Sequence, residues 1–375
     1  MAGAAIDCEL RAQTGKRHVE FRLARQSDDA GIRRLLRESP MGGDISLSLE
    51  REPDYFTESR WIHSEKQTVI ATEGQRVVCV GDCTIRSRYV NGKACSVGYL
   101  GSLRLDANAA GRFDILRRGY NFFREMQADA PADFYFTSIA SDNLRAQKFL
   151  ERGLPGMPAY EFVSEYVSLL LPVPGSGVQP ATRDLISIPD FCPIINEHNS
   201  RYQFACCWSA EEMSRLEKLG LSEADFLTAK TAGGVIGGAV WDQRSFKQTV
   251  IHAYSRRLSR LRPLLNWIAR VFGRPGLPDI GTPLAHAFAS CLVADSNDSK
   301  SLIGVIDSLL VLARAKHCTF LTLGFAASDS RLACLRRHYR GREYRSRIYV
   351  VRWPGAGRPA SDLDGRPIWP EVALL

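Results

Sequence analysis

The feature that most constrains this chain is that its second half repeats the element order of its first. The divide is residues 172–182, PVPGSGVQPAT, whose Pro, Gly and Ser suit a linker better than the interior of a regular element. Before it, Val19–Ala24 alternates like a strand. SDDAGIRRLLRES follows, with Ser27 and Asp28 placed to cap a helix whose apolar face is Ile32, Leu35 and Leu36. Residues 66–90 read as a hairpin turning at Glu73-Gly74-Gln75, and Asn91-Gly92 supplies a second turn. A strand over 96–105, a helix from about Gly111 to Met126, a strand over 134–140 and a helix stopping at Gly153 come next.

After the linker the order returns. EEMSRLEKLG reads as a helix, DFLTAKTAGGVIGGAVWDQ as a hairpin turning at Gly233-Gly234, and HAFASCLVAD as a strand. The helix SLIGVIDSLLVLARAKH, the strand CTFLTLGFA, the helix SDSRLACLRRHYR and the strand YRSRIYVVRW follow. Two copies of one α/β unit, residues 1–172 and 183–375, explain this economically, each a mixed sheet flanked by helices. A chain of 375 residues is long enough for two such cores, at roughly 150 residues per domain.

Composition excludes several functions. Forty-nine Lys and Arg against 41 Asp and Glu leave a net charge of +8. That mild excess suits a phosphate-bearing ligand and is too dilute for a nucleic-acid binder, so no nucleic-acid partner is expected. The longest apolar runs, such as Val167–Val173, fall far short of the roughly 20 residues that cross a bilayer, and no membrane partner is expected. MAGAAIDCELRAQTGKRH has no apolar core before a cleavage site, and the ten cysteines form no C-x-x-C pair. Reduced thiols in a cytoplasmic protein are the expectation. His198, His252, His286, His317 and His338 are scattered, so no metal site is expected. The chain has neither a G-x-S-x-G elbow nor a P-loop, and hydrolase and NTPase readings fall away.

Two segments carry a resemblance. SDNLRAQKFLERGL (141–154) follows a predicted strand, with Asp142 or Ser141 as the expected cap and Ala146 permitting close approach of a ligand. LRLDANAAGRFDILRRGY (103–120) runs from a strand end through a loop into a helix. Both, with the element order, resemble the GNAT superfamily of acyl-coenzyme A dependent acyltransferases. Asn143, Ala146, Phe149, Glu151 and Gly153 sit on matching positions of one motif; Leu105, Ala107 and Gly111 match parts of the other. The resemblance implies a GNAT-type fold in each half and acetyl-coenzyme A as co-substrate. It also implies a small-molecule or peptide amine as acceptor. Leu105, Ala110, Gly111, Arg112, Phe113, Asp114 and Ile115, with Asn143 and Ala146, would then hold the coenzyme. Backbone N–H groups from Ala110 to Ile115 would face its pyrophosphate at a helix N-terminus. Phe113 and Ile115 occupy two family glycine positions and Ala110 replaces a Gln or Arg, a departure for which Arg112, Arg117 and Arg118 could compensate in charge.

Acyl transfer needs a base, an oxyanion donor and an acid for the departing thiolate. The glycine-rich stretch Gly98–Ser102 suits a strand bulge, and Leu103 is the expected oxyanion amide. The acid that many relatives place in the helix after the fifth strand falls on Leu150, leaving Tyr99 and Tyr160 as substitutes. In MGGDISLSLEREPDYF (41–56), Glu50, Glu52 and Asp54 could meet a cationic amine, with Tyr55 and Phe56 stacking on it; an ordinary surface segment is the alternative. The second half lacks a glycine-rich loop at 294–304, so a non-catalytic partner domain is expected there. RRLSRLRPLLNWIARVFGR (256–274) reads as a helix starting at Pro263 and docked within the second half, with a membrane-surface helix as the alternative. The aromatic segments 241–254 and 361–375 would dock on the first half. The function expected is N-acyl transfer, with aminoacyl or long-chain acyl transfer and a non-catalytic scaffold as the competing readings.

Overall fold

A computed structural model describes residues 18–62, 65–109, 111–175, 186–231, 234–272, 275–294 and 298–375. The segments with period-2 alternation form strands, and those with 3.6-residue periodicity form helices. In order they are β1 (Val19–Leu23), α1 (Asp29–Glu38), β2 (Ile45–Glu50), α2 (Thr57–Trp61), β3 (Glu65–Glu73), β4 (Arg76–Val90) and β5 (Lys93–Leu105). Next come α3 (Phe113–Met126), β6 (Phe134–Ala140), α4 (Leu144–Leu150), β7 (Ala159–Pro172), α5 (Ile188–Asn199) and α6 (Ala210–Arg215). The remainder are β8 (Phe226–Thr231), β9 (Gly234–Trp241), β10 (Gln248–Tyr254), α7 (Arg256–Val271), β11 (His286–Val293), α8 (Ser299–Ala315), β12 (Phe320–Ala326), α9 (Ser330–His338) and β13 (Arg342–Arg352).

Eleven strands make one mixed sheet in the order β1-β3-β4-β5-β6-β13-β7-β12-β11-β9-β8. The two halves exchange their last strands. β13 lies between β6 and β7, and β7 pairs antiparallel with β12 from Tyr166–Ala326 to Pro172–Phe320. A second small sheet also joins the halves, because β10 pairs with β2. Of the 241–254 segment, residues 248–254 dock on the first half as expected, while Trp241 stays in β9 of the second half, donating to the Leu219 carbonyl at 2.8 Å.

Local chemistry explains the elements. Ile32, Leu35 and Leu36 of α1 are fully buried, each worth about 1.5–3 kcal/mol of transfer free energy. A Cβ on Gly31 would stand 2.9 Å from Val77, so glycine sets how closely α1 approaches β4. α4 is capped by Asn143, whose side chain accepts from the Ala146 N–H at 3.1 Å, rather than by Asp142 or Ser141. β11 is buried at every position, as a strand covered on both faces must be. The linker falls partly outside the described residues, at 176–182, as does Gly233 of the expected hairpin turn.

α7 departs from expectation. It starts at Arg256, with Pro263 inside it and Ser255 as its cap, and none of its residues is buried. It attaches through its polar side, where Asn266 bonds both backbone groups of Leu277 and Arg262 pairs with Asp279. The C-terminal segment reaches both halves: Asp362 and Asp364 bond Asn91 and Pro370 accepts from the Tyr166 hydroxyl at 2.7 Å on the first half, as expected, while its end packs on the second. Trp369 stacks on Phe325 at 6.2 Å and donates to the Gly324 carbonyl at 2.8 Å, against the second half. No described helix is long and apolar enough to cross a membrane.

Candidate active site

The sheet opens twice, in corresponding places. β5 and β6 run parallel and paired only from Val97–Phe134 to Tyr99–Phe136, beyond which no pairing continues. β11 and β12 do the same from His286–Phe320 to Phe288–Thr322. Just past each opening the longer strand bulges. Asp82 pairs with Gly101 and Val80 with Arg104, so Ser102 and Leu103 together face Gly81. Ser290 pairs with Ala239 and Val293 with Gly237, so Cys291 and Leu292 together face Gly238. Ser102 and Cys291 both have φ of +53°, the left-handed backbone that such a bulge imposes. Ser102 thus corresponds to Cys291, and Leu103 to Leu292.

The bulges differ in what they meet. In the second half the Cys291 N–H donates to Glu371 Oε2 at 3.0 Å, and Ser290 Oγ donates to Glu371 Oε1 at 3.0 Å. Burial raises the Glu371 carboxyl above its ordinary range despite those bonds. Val372 closes on Gly324, where an added Cβ would stand 2.6 Å from the valine. The second opening is therefore filled by the chain's own C-terminal segment. In the first half Leu103 is 38% exposed. A Cβ on Gly101 would stand 2.9 Å from Asp82 Oδ1 and 3.0 Å from the edge of the Tyr99 ring, so these two groups flank a seat beside the bulge.

Behind that seat lies a buried polar cluster that sequence reasoning missed. Asp82 accepts from the Tyr55 hydroxyl at 2.9 Å and meets Lys66 Nζ at 3.5 Å; Lys66 also meets Glu58 at 3.6 Å. Burial opposes the Lys66 charge, but Tyr55, Asp82 and Glu58 hold its ammonium pKa above the ordinary value. Burial would likewise raise Glu58, but Lys66, Arg51, Lys247 and Arg86 hold it at about 2. Lys247 comes from the other half. Its Nζ donates to main-chain oxygens of Ala373 and Leu375 at 3.1 and 2.9 Å, and burial, with Arg51 nearby, lowers it to about 7. The available signal was charge at alternate positions of one strand: Asp82, Arg86 and Arg88 all point to the buried face of β4.

The expected site residues fall into three groups. Tyr99 packs on Phe136 at 5.1 Å beside the seat, and burial raises its hydroxyl pKa. Tyr160 lies on the opposite face of the sheet, because its partner Val351 is adjacent to Val350, the partner of Phe136. There it bonds the Tyr120 hydroxyl at 2.5 Å, and burial raises it too. The third group gathers at the start of α3. Phe113 stacks on Phe149 of α4 at 4.7 Å, drawing the 111–115 turn towards Asn143 and Ala146. Within that turn the N–H groups of Arg112, Phe113 and Ile115 already donate to Ala109, Gly111 and Arg112 carbonyls. Arg112 pairs with Glu73 and Asp114. Leu105 pairs with Cys79 in the sheet, and Ala110 lies outside the described residues.

The acidic run at 41–56 has its own partners. Glu50 accepts from Ser48 at 2.6 Å and meets Arg37, Glu52 pairs with Arg33 and Arg37, Asp54 pairs with Arg60, and Tyr55 is 1% exposed. Among the described residues no group of three or more His, Cys, Asp or Glu is arranged to hold a metal ion.

No family model and no curated protein matches the sequence. Solved structures do. The chain is similar to N-myristoyltransferase of Saccharomyces cerevisiae with bound myristoyl-CoA, at 11% identity and TM-score 0.57, covering 93% of this chain and 84% of that one. It is also similar to a GCN5-related N-acetyltransferase of Sphaerobacter thermophilus, at 13% identity and TM-score 0.52, covering 92% and 98%. A double opening, two matched bulges and these likenesses make one architecture: the chain has the GNAT fold.

Proposed function

We propose that this protein is an N-acyltransferase that moves an acyl group, acetyl in the first instance, from acyl-coenzyme A to a primary amine at the first-half opening. The observation that carries the reading is the contrast between the two bulges. The second-half bulge amide already donates to a carboxyl oxygen, that of Glu371, which is internal precedent for an acceptor oxygen at this backbone position. By correspondence the oxyanion donor of the first half is the Ser102 N–H, one residue before Leu103.

The residues suit such a donor. The opening between β5 and β6 admits an extended chain, and Arg117, Arg145, Lys148 and Arg152 are exposed on α3, α4 and the turn after it, where phosphates would be met. The Arg112, Phe113 and Ile115 amides engaged within their turn argue for a phosphate grip that relies on these side chains more than on a cradle of backbone donors. When bound, acyl-coenzyme A supplies a thioester carbonyl to the bulge. Asp82 Oδ1, beside Gly101, holds the acceptor's ammonium and takes its proton. The amine nitrogen then forms the C–N bond, the C–S bond breaks, and sulfur leaves with the electron pair as a thiolate, while the second nitrogen proton passes to solvent or to that thiolate. Tyr55 and Lys66 keep the Asp82 carboxylate oriented.

The test is amine-dependent release of coenzyme A thiol, measured with acetyl-, medium- and long-chain acyl-coenzyme A against small amines and peptide N-termini. Release that needs both substrates and falls about a hundredfold or more in Asp82→Asn is expected. Coenzyme binding with no release for any acceptor would favour the scaffold reading, and a long-chain preference would replace acetyl.

A further inference from the structure

α7 presents its apolar residues to solvent. Leu261, Leu264, Leu265, Ile268 and Val271 are 38–60% exposed, Phe272 at its end is 70% exposed, and Trp267 is 62% exposed. At about 100° per residue, Val271, Leu264, Ile268, Leu261 and Leu265 span an arc of about 120°, and Leu258, Arg262, Asn266 and Ala269 form the side that attaches to the protein. Arg256, Arg260 and Arg270 run along the outer border of the apolar arc with Trp267 among them, and Arg257 sits in its first turn. The helix contains no acidic residue. Arg262, on the attached side, pairs with Asp279. An ordinary surface helix has the reverse arrangement, with its apolar stripe inward.

We propose that α7 docks this protein on an anionic membrane surface, lying in the interface plane with its leucines and isoleucine among acyl chains and its arginines on phosphate headgroups. The charge pattern selects the occupant. A second copy of the chain would bring two arginine borders together, whereas anionic lipid neutralises them. Trp267 and Phe272 beside an aliphatic arc match the headgroup boundary, where an aromatic ring has one side apolar and one side wet. Arginine stems reach along the apolar surface to bring their guanidinium groups to that boundary. The helix is about 24 Å long, enough to lie along the surface and too short to cross it. This inference is independent of the proposed acyl transfer.

The experiment is co-sedimentation of the full-length protein with vesicles of phosphatidylcholine alone and of phosphatidylcholine with about one-third phosphatidylglycerol. At about 0.1 M salt the anionic vesicles should bind about tenfold more protein or better, and raising the salt to about 0.5 M should remove most of it. The double variant Leu264→Glu, Ile268→Glu should lose binding while keeping its thermal midpoint, since both side chains are exposed. Trp267→Phe should remove a blue shift of fluorescence that appears with anionic vesicles. Equal binding to neutral vesicles, no binding to either kind, or full binding by the double variant would overturn the proposal. A dimer dispersed by the double variant, with no vesicle binding, would assign the face to a second copy instead.

Discussion

The two openings in the sheet are built from the same parts and put to different use. Each has three parallel pairs, then a divergence, then a bulge facing a glycine, at Ser102–Leu103 over Gly81 and at Cys291–Leu292 over Gly238. In the second the C-terminal segment supplies a carboxyl oxygen to the bulge, an indole to a carbonyl and a valine to the floor. The difference teaches that one of two matched openings can be filled from within by the chain itself while the other is left clear of that segment. On the proposed function, Glu371 occupies the place that a reacting oxyanion would take at the first bulge.

The largest effect expected from breaking the comparison is on folding. Residues 18–175 alone would leave β6 and β7 without the β13 that separates them and β7 without β12, so the fragment should show no cooperative thermal transition, whereas the full chain should. A fragment melting as sharply as the full chain would mean that β6 and β7 pair directly. Next is Gly101→Ser, which copies the second-half residue Ser290 into the first. Its Cβ would crowd Asp82 and Tyr99, and turnover should fall by about 10²–10³-fold, a loss comparable to removal of an oxyanion donor. The reciprocal Ser290→Gly should leave turnover unchanged.

Glu371→Ala should cost about 1–3 kcal/mol, because the Cys291 N–H loses its buried acceptor. Chemical denaturation measures it, with activity per folded molecule preserved. Spread over pH, and seen only on acidification, is the contribution of two buried histidines. Burial lowers His198 and His286 from 6.5 to about 4, so the unfolded chain binds their protons first. Stability from these groups is complete above pH 6.5 and is lost as pH falls towards 4, by up to about 3 kcal/mol each. Glu371 works the other way, since its raised pKa makes stability fall as pH rises through its range. His198→Gln should flatten the acid side of the stability profile; an unchanged profile would mean that this histidine titrates normally.

Much of this was legible in the sequence. The faces of α1, the turn at Gly74 and the glycine-rich stretch before the bulge followed from period and turn chemistry. The strand exchange did not, because alternation fixes which side chains of β7 and β13 point inward but not which neighbour each strand takes. For α7 the amphipathic pattern was plain while the docked side was not: Asn266 and Arg262 find specific partners at Leu277 and Asp279, and those bonds turn the apolar arc outward. The polar cluster escaped because Lys66 and Asp82 look like ordinary hairpin charges until Tyr55 and Glu58, from the segment before the hairpin, fold onto them.

The central claim is that acyl-coenzyme A engages the first bulge and not the second. Amide hydrogen exchange read by mass spectrometry, on peptides covering residues 98–105 and 288–294 with and without acetyl-coenzyme A, tests it most directly. Slowed exchange is predicted in 98–105 upon ligand addition, with 288–294 already slow and unchanged because Glu371 holds its amide. Ligand-dependent protection confined to 288–294, or none in 98–105 at saturating ligand, would contradict the account.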